Sequence, residues 1–160
     1  MNPSDELRHR ATAYANAHGI QLEDMLGSGK DGIVFSTNVR SAVKVFSQQE
    51  TFRREWTCYQ RFQENGIREV LGHHVPQSIG ADEDLLIVEM SIVQPPFLLD
   101  FASAYLDVPP DFSEEVIEQW QHSKREEFGE NWSGVMVILE VLKQDFGVYL
   151  LDVHPGNIAF

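Results

Sequence analysis

The chain has 160 residues, of which 42% are hydrophobic and 23% are charged, which is the composition of one globular domain and excludes a disordered or collagen-like chain. Its formal net charge of −13 lies entirely in residues 76–160, which hold 16 acidic and 3 basic side chains. An acidic half of this kind disfavours nucleic acid and membrane surfaces as partners. It favours a cationic substrate or protein partner, although a solvated acidic surface explains the same pattern. One cysteine, no basic N-terminal region and no long apolar run predict a cytoplasmic protein.

The first half of the sequence predicts a helix, three strands and a second helix. In chain order these are a helix over residues 4–18, three strands of an antiparallel meander over residues 20–26, 32–37 and 41–47, and an amphipathic helix over residues 51–64. Ser4 is the expected N-cap of the first helix, and Gly19 is expected to end it. Gly66 and Pro76 then bracket a stretch that is expected to be irregular.

The second half predicts one strand and then mainly helices. These elements are a buried strand over residues 85–90, a helix that follows Ser113, a longer helix over residues 132–146, and a short apolar segment over residues 149–151. Val116, Ile117 and Trp120 are expected to form the buried face of the helix after Ser113. Gly147 is expected to end the longer helix.

A glycine-rich segment at residues 27–34 fits the pattern G-x-G-x-x-G-x-V. In a dinucleotide-binding loop the third glycine opens a helix, whereas Ile33, Val34 and Phe35 continue here as a strand. No Gly-Lys-Ser or Gly-Lys-Thr ends the segment, which excludes a Walker A loop. What remains is a hairpin whose backbone N–H groups can approach a phosphate because the glycines carry no side chains.

Lys44 and Glu55 are predicted to form an ion pair. Lys44 lies in the middle of an apolar strand, where an ammonium group must reach solvent or meet an anion. Glu55 lies at the edge of the buried stripe of the next helix, so its carboxylate needs a cation. Glu50 is the competing partner, but it shares a helix row with Arg54 that is expected to face solvent. An exposed Glu55 is the alternative.

Asp152 and Asn157 flank a Pro-Gly turn, which can direct both side chains into one cleft. A carboxylate there could accept a proton from a hydroxyl, and a neighbouring amide oxygen could hold Mg²⁺. Taken alone, the segment is also compatible with a simple turn.

The order of these motifs resembles that of the protein-kinase-like superfamily. The segment Asp-Val-His-Pro-Gly-Asn over residues 152–157 is most similar to its small-molecule branch, the aminoglycoside phosphotransferases and related small bacterial kinases. The resemblance covers about residues 20–160 and implies a single α+β domain. It implies an antiparallel β N-lobe with one helix over about residues 1–90, a hinge, and a shortened helical C-lobe over about residues 91–160.

The same resemblance implies ATP and Mg²⁺ as cofactors and transfer of the γ-phosphate to a hydroxyl of a protein or small molecule. Asp152 is implied as the catalytic base, Lys44 as the phosphate contact that Glu55 orients, and Asn157 as a Mg²⁺ ligand. The implied nucleotide-binding residues are Gly27, Ser28, Gly29, Gly32, Val34, Ala42, Lys44, Val88, Glu89 and Ser91. Among these, Glu89 and Ser91 are expected to offer hinge backbone to adenine. The alternative function is an impaired pseudokinase that binds a nucleotide or a partner.

Two departures from the family pattern bear on this function. Leu150 and Leu151 replace the His-Arg or His-Gly that commonly precedes the catalytic Asp. The family's second metal-binding acid, in Asp-Phe-Gly or its equivalent, follows the catalytic-loop Asn, and no residue after Asn157 matches it. The expectation is therefore a chain truncated before that motif, a short protein with poor turnover, or a regulator that a partner completes.

Overall fold

The structure is a computed structural model that describes residues 1–160. Its α-helices are Pro3–His18 (α1), Gln49–Glu64 (α2), Glu114–Phe128 (α3) and Trp132–Phe146 (α4), with a 3-10 turn at Gly129–Asn131 between the last two. Its strands are Leu22–Gly29 (β1), Gly32–Thr37 (β2), Ser41–Phe46 (β3), Glu69–Val70 (β4), His73–His74 (β5), Ser78–Asp82 (β6), Ile87–Ser91 (β7), Phe97–Leu98 (β8), Tyr105–Leu106 (β9), Val148–Tyr149 (β10) and Ile158–Ala159 (β11). None of the helices is both long enough and apolar enough to cross a membrane.

The N-terminal half is built on a five-stranded antiparallel sheet in the order β1-β2-β3-β7-β6. This confirms the expected α+β class and the expected meander. Successive side chains of a strand point to opposite faces, and β3 shows this directly. Val43 and Val45 pack against α1, whereas Ala42 belongs to the larger core that includes α2.

The larger core joins the two halves of the chain. It contains the buried face of α2, residues of β7, and the inner sides of α4 and the following turn. Val135, Ile138 and Leu142 are the α4 residues at its centre. The helix that precedes the Asp152 segment is thus fixed to the same core as the sheet that carries Lys44.

Two small sheets complete the fold. One pairs β10 with β9, and the other has the order β11-β8-β5-β4. In the second sheet β8 and β11 are antiparallel, and Leu98 lies opposite Ile158. This pairing brings the residues after the hinge next to the residues after Asn157.

Several predicted boundaries differ from the structure. The first helix begins at Pro3, and its N-cap is Asn2 rather than Ser4, since Asn2 Oδ1 accepts the Asp5 N–H at 2.8 Å. Proline suits the first helical position because that position needs no N–H donor. β1 continues to Gly29 because its pairing with β2 extends to the Gly29–Gly32 pair. The chain between 66 and 76, expected to be irregular, contains β4 and β5, and β6 was not predicted.

The predicted buried face of α3 is wrong for Val116 and Ile117, whereas Trp120 packs against the core as a partly buried residue. Val116 and Ile117 are 46% and 41% exposed, and Phe128 is the only buried residue of the helix. The reason is that α3 meets the rest of the chain through the Trp120 and Phe128 rings, which pack on Trp132. The expected Ser113 cap is confirmed, because Ser113 Oγ accepts the Val116 N–H. Gly147 ends α4 in the left-handed conformation, as the sequence predicts.

Candidate functional site

The glycine-rich segment forms the hairpin between β1 and β2. Gly29 pairs with Gly32 at its tip, and Lys30 and Asp31 form the turn. Gly32 has φ +147°, and a Cβ there would lie 1.9 Å from the carbonyl oxygen of Val45, so no other residue fits. A Cβ on Gly29 would meet nothing within 4 Å. The open glycines therefore leave room on the hairpin for another molecule.

The hairpin covers one end of a cleft, a cavity of about 300 Å³. The residues that line this end are Gly27, Ser28, Gly29, Lys30, Asp31, Gly32, Val34, Lys44, Asp100 and Asp152. The structure thus brings the glycine hairpin, the strand lysine and the turn aspartate, all predicted site residues, to one place.

Lys44 and Glu55 form the predicted ion pair. The Lys44 Nζ lies 2.6 Å from Glu55 Oε2, and the Glu55 side chain is 1% exposed. Burial alone lowers the pKa of the Lys44 ammonium, but the Glu55 and Asp100 carboxylates outweigh it and raise the pKa above its ordinary value. Lys44 is therefore a permanently charged group at the cleft.

Glu55 has two further contacts that fix its carboxylate. Its Oε1 accepts the Tyr59 O–H at 2.9 Å and the Phe101 N–H at 3.3 Å. The competing residue Glu50 instead pairs with Arg54 on the exposed side of α2, as the helix pattern predicts.

Asp152 and Asn157 are also brought together as predicted. Asn157 Nδ2 donates to Asp152 Oδ2 at 3.0 Å and to the Asp152 carbonyl oxygen at 3.1 Å. His154 shapes the turn, because its Nδ1 accepts the Gly156 N–H at 3.1 Å. The His154 Nε2 lies 3.6 Å from Asp152 Oδ1.

Asp100 is a site residue that the sequence analysis did not single out. Its Oδ1 lies 3.5 Å from Lys44 Nζ, and it lines the same end of the cleft as Asp152. Burial raises the pKa of Asp100, but Lys44 and the hydrogen bonds it accepts bring the pKa below its ordinary value. Burial and then Asp100 raise the pKa of Asp152. The pKa values of these two carboxyl groups are therefore shifted in opposite directions.

A sequence signal for Asp100 does exist. The apolar run Phe97-Leu98-Leu99 is followed by Asp100-Phe101, which is an Asp-Phe pair after a short strand. The family pattern places such a pair after Asn157, whereas this pair precedes it.

The other end of the cleft is more apolar. This cavity measures about 340 Å³, and half of the residues that line it are hydrophobic. Val34, Ala42 and Ser91 lie here, together with Met90 and Val93. The Ser91 N–H, whose backbone was expected to contact adenine, instead donates to the Gln77 carbonyl oxygen at 2.9 Å. The Val93 backbone N–H donates no hydrogen bond within the chain. A flat apolar group with an acceptor atom therefore suits this end.

Val88 and Glu89 were expected to line the nucleotide site, and the structure places both outside the cleft. Neither residue lines the cleft, because both lie inside the sheet, between β3 and β6. Glu89 is 5% exposed and accepts hydrogen bonds from the Tyr14 and Ser41 hydroxyls at 2.9 and 2.7 Å. It therefore joins α1 to the sheet. The hinge segment that does line the cleft begins at Met90.

No protein-family model and no curated protein matches the chain. Two solved structures similar to it are described as a streptomycin–ATP–APH(2")-IIa ternary complex and a gentamicin–APH(2")-IIa complex. The first is 23% identical with a TM-score of 0.41 and covers 54% of this chain and 28% of its own. The second is 15% identical with a TM-score of 0.45 and covers 81% of this chain and 38% of its own. The chain thus spans about a third of the length of these structures.

Proposed function

We propose that the chain binds ATP in this cleft and belongs to a phosphotransferase that moves the γ-phosphoryl group to a hydroxyl. The observation that supports the proposal is the convergence of three separate motifs on one cleft: the glycine hairpin, the Lys44–Glu55 pair and the Asp152–Asn157 turn. These motifs come from distant parts of the sequence.

The two ends of the cleft suit the two ends of a nucleotide. The adenine base fits the apolar end, where Ala42 and Met90 provide contact surface and the Val93 N–H is a free donor. The phosphates fit under the hairpin, where Gly27 and Gly29 allow the backbone to approach them.

The transfer step needs positioning and charge neutralisation more than covalent chemistry. The acceptor oxygen bonds to the γ-phosphorus, the bond from that phosphorus to the β–γ bridging oxygen breaks, and ADP leaves. The hydroxyl proton passes to Asp152. Lys44 offsets the negative charge of the phosphates, and Glu55 holds Lys44 in position. Asn157 would hold Mg²⁺, which when bound neutralises phosphate charge.

Lys44→Met tests the nucleotide site. Hydrogen bonds to charged groups are worth about 1.5–3 kcal/mol, so we expect the affinity for ATP, measured by calorimetry, to fall at least about tenfold. Lys124→Met is the matched control, because Lys124 is paired with Glu127 on the surface of α3. Lys44→Arg preserves the charge opposite Glu55 and serves as the folding control. Equal ATP affinity in the wild type and Lys44→Met would refute the proposed site.

A second candidate is a kinase-like module that binds nucleotide without transferring phosphate. The observation that favours it is that both carboxylate oxygens of Asp152 already face polar groups, which makes the carboxylate less available as a base. Its Oδ2 accepts from Asn157 Nδ2 at 3.0 Å, and its Oδ1 lies 3.6 Å from His154 Nε2. Asp152→Asn separates the two functions. A phosphotransferase loses ADP formation in this variant while it keeps its affinity for ATP, whereas a binding module forms no ADP in either protein.

A further inference from the structure

The small sheet that contains β8 and β11 places Asp100 beside Asn157. Leu98 lies opposite Ile158, and the Leu99 N–H donates to the Asn157 carbonyl oxygen at 2.8 Å. Asp100 is the next residue in the chain. Two segments that are far apart in the sequence are thus joined by backbone pairing immediately next to both polar side chains.

Phe101 fixes the backbone that carries Asp100. Its ring is fully buried and packs edge-on against Tyr59 and Phe62 of α2, with ring centres 5.8 and 5.4 Å apart. Its N–H donates to Glu55. Asp100 itself has φ +66°, a conformation that aspartate and asparagine tolerate better than most residues. The position of the Asp100 backbone is therefore set by the core.

The charges at this point do not balance. Glu55 and Asp100 lie 2.6 and 3.5 Å from the Lys44 ammonium, and Asp152 lines the same end of the cleft, where the charges of Lys30 and Asp31 cancel. With all three ionised the cluster carries a net charge of −2. A divalent cation would neutralise that charge.

Asn157 provides an independent indication of a ligand. Its residue exposure is 9%, and both hydrogen bonds of its side chain use Nδ2. The two partners, a carboxylate and a carbonyl oxygen, are acceptors, so the amide NH₂ must face them. The Asn157 Oδ1 accepts no hydrogen bond from the chain, and the residue lines the cleft. An unpaired amide oxygen on a nine-tenths buried side chain is an available metal ligand.

We propose that Asp100 is the second acid of a divalent-cation site, in which its carboxylate and Asn157 Oδ1 hold Mg²⁺ together with phosphate oxygens of the nucleotide. The proposal rests on the proposed function, because the chain has no group of three His, Cys, Asp or Glu side chains arranged to hold a metal ion unaided. Mg²⁺ is usually bound by one or two carboxylates plus substrate phosphates. The acid thus precedes Asn157 in the sequence, whereas the family pattern predicts it afterwards.

Mn²⁺ binding to the 160-residue chain tests the proposal, because free Mn²⁺ can be counted from its electron paramagnetic resonance signal. The titration is made with Mn²⁺ alone and with Mn²⁺ plus ATP. We expect Asp100→Asn to weaken Mn²⁺ binding in the presence of ATP at least about tenfold. Asp107→Asn is the matched control, since Asp107 also has a positive φ but pairs with Arg61 away from the cleft. Thermal unfolding shows whether Asp100→Asn is folded. If it is not, Asp100→Gly is used in its place, because glycine tolerates the positive φ.

The outcomes distinguish this proposal from the proposed function. Equal Mn²⁺ affinity in the wild type and Asp100→Asn overturns the role of Asp100, even if ATP binds. ATP binding with no uptake of Mn²⁺ overturns the metal site and leaves the nucleotide site intact. Mn²⁺ binding that Asp100→Asn abolishes, without any binding of ATP, supports Asp100 as a metal ligand but overturns the role of the phosphate oxygens and refutes the proposed function. No binding of either overturns both.

Discussion

Lys44 is a buried charge that the structure accommodates with two carboxylates. A buried ammonium loses its hydration, and this cost is offset only if an anion lies close by. Glu55 Oε2 lies 2.6 Å from Lys44 Nζ, and Asp100 Oδ1 lies 3.5 Å from it. The sequence predicted the first contact, because a lysine in an apolar strand and a glutamate on the next buried helix face each needed a partner. It did not predict the second.

Glu55→Gln tests this pairing through stability. Removal of one partner from a buried ion pair costs about 3–5 kcal/mol, and we expect the lower end because Asp100 still faces Lys44. The free energy of unfolding, from urea titration, is the measurement. Glu50→Gln removes an exposed pair from the same helix and should cost less than about 1 kcal/mol. Similar losses in both variants would contradict the buried pairing.

The raised pKa of Asp152 predicts that the stability of the chain depends on pH. Its pKa is raised in the folded chain, so the folded state binds more protons than the unfolded state at pH values above the ordinary 3.8 of the group. The contribution of Asp152 is thus present below that pH and is lost as the pH rises through the folded pKa. Asp100 has a lowered pKa and acts in the opposite direction below 3.8.

The measurement is urea unfolding of the wild type and Asp152→Asn over a series of pH values. We expect the free energy of unfolding of the variant, relative to the wild type, to increase as the pH rises above 3.8. A constant difference across that range would show that Asp152 ionises as freely in the folded chain as in the unfolded chain.

The glycines of the β1–β2 hairpin have two different roles. Gly32 is needed for folding, whereas Gly29 is available to a ligand. Gly32→Ala places a Cβ against the Val45 carbonyl at a positive φ, so we expect a loss of at least about 3 kcal/mol of stability. Gly29→Ala meets no atom and should leave stability within about 1 kcal/mol of the wild type. Thermal unfolding of the two variants makes the comparison, and equal destabilisation would contradict the described hairpin.

The helices show which elements local sequence could predict. The apolar spacing, the Ser113 cap and the Gly147 end each act within a few residues, and the structure contains α3 and α4 where these signals place them. The packing of α3 was not predictable in this way. The sequence shows that Val116 and Ile117 lie on the same face of α3. Whether that face is buried depends on how the rest of the chain packs, and here both residues are exposed.

At the scale of the molecule, the site depends on pairing between distant segments. The hairpin, Lys44, Glu55, Asp152 and Asn157 were predicted from motifs that each lie within a short stretch. Asp100 was not, because its Asp-Phe pair precedes Asn157 in the sequence, and β8 and β11 are two-residue strands with no periodic signal to show that they pair. Their pairing, with the Leu99 contact to Asn157, is visible only in three dimensions.

The most direct test of the account is calorimetric titration of ATP into the wild-type chain, once with Mg²⁺ and once with EDTA. In our account Lys44 holds the phosphates, and Asp100 and Asn157 hold the cation. We therefore expect ATP to bind with a dissociation constant on the order of micromolar with Mg²⁺, and much more weakly with EDTA. Absence of binding under both conditions would contradict the assignment of this cleft to a nucleotide.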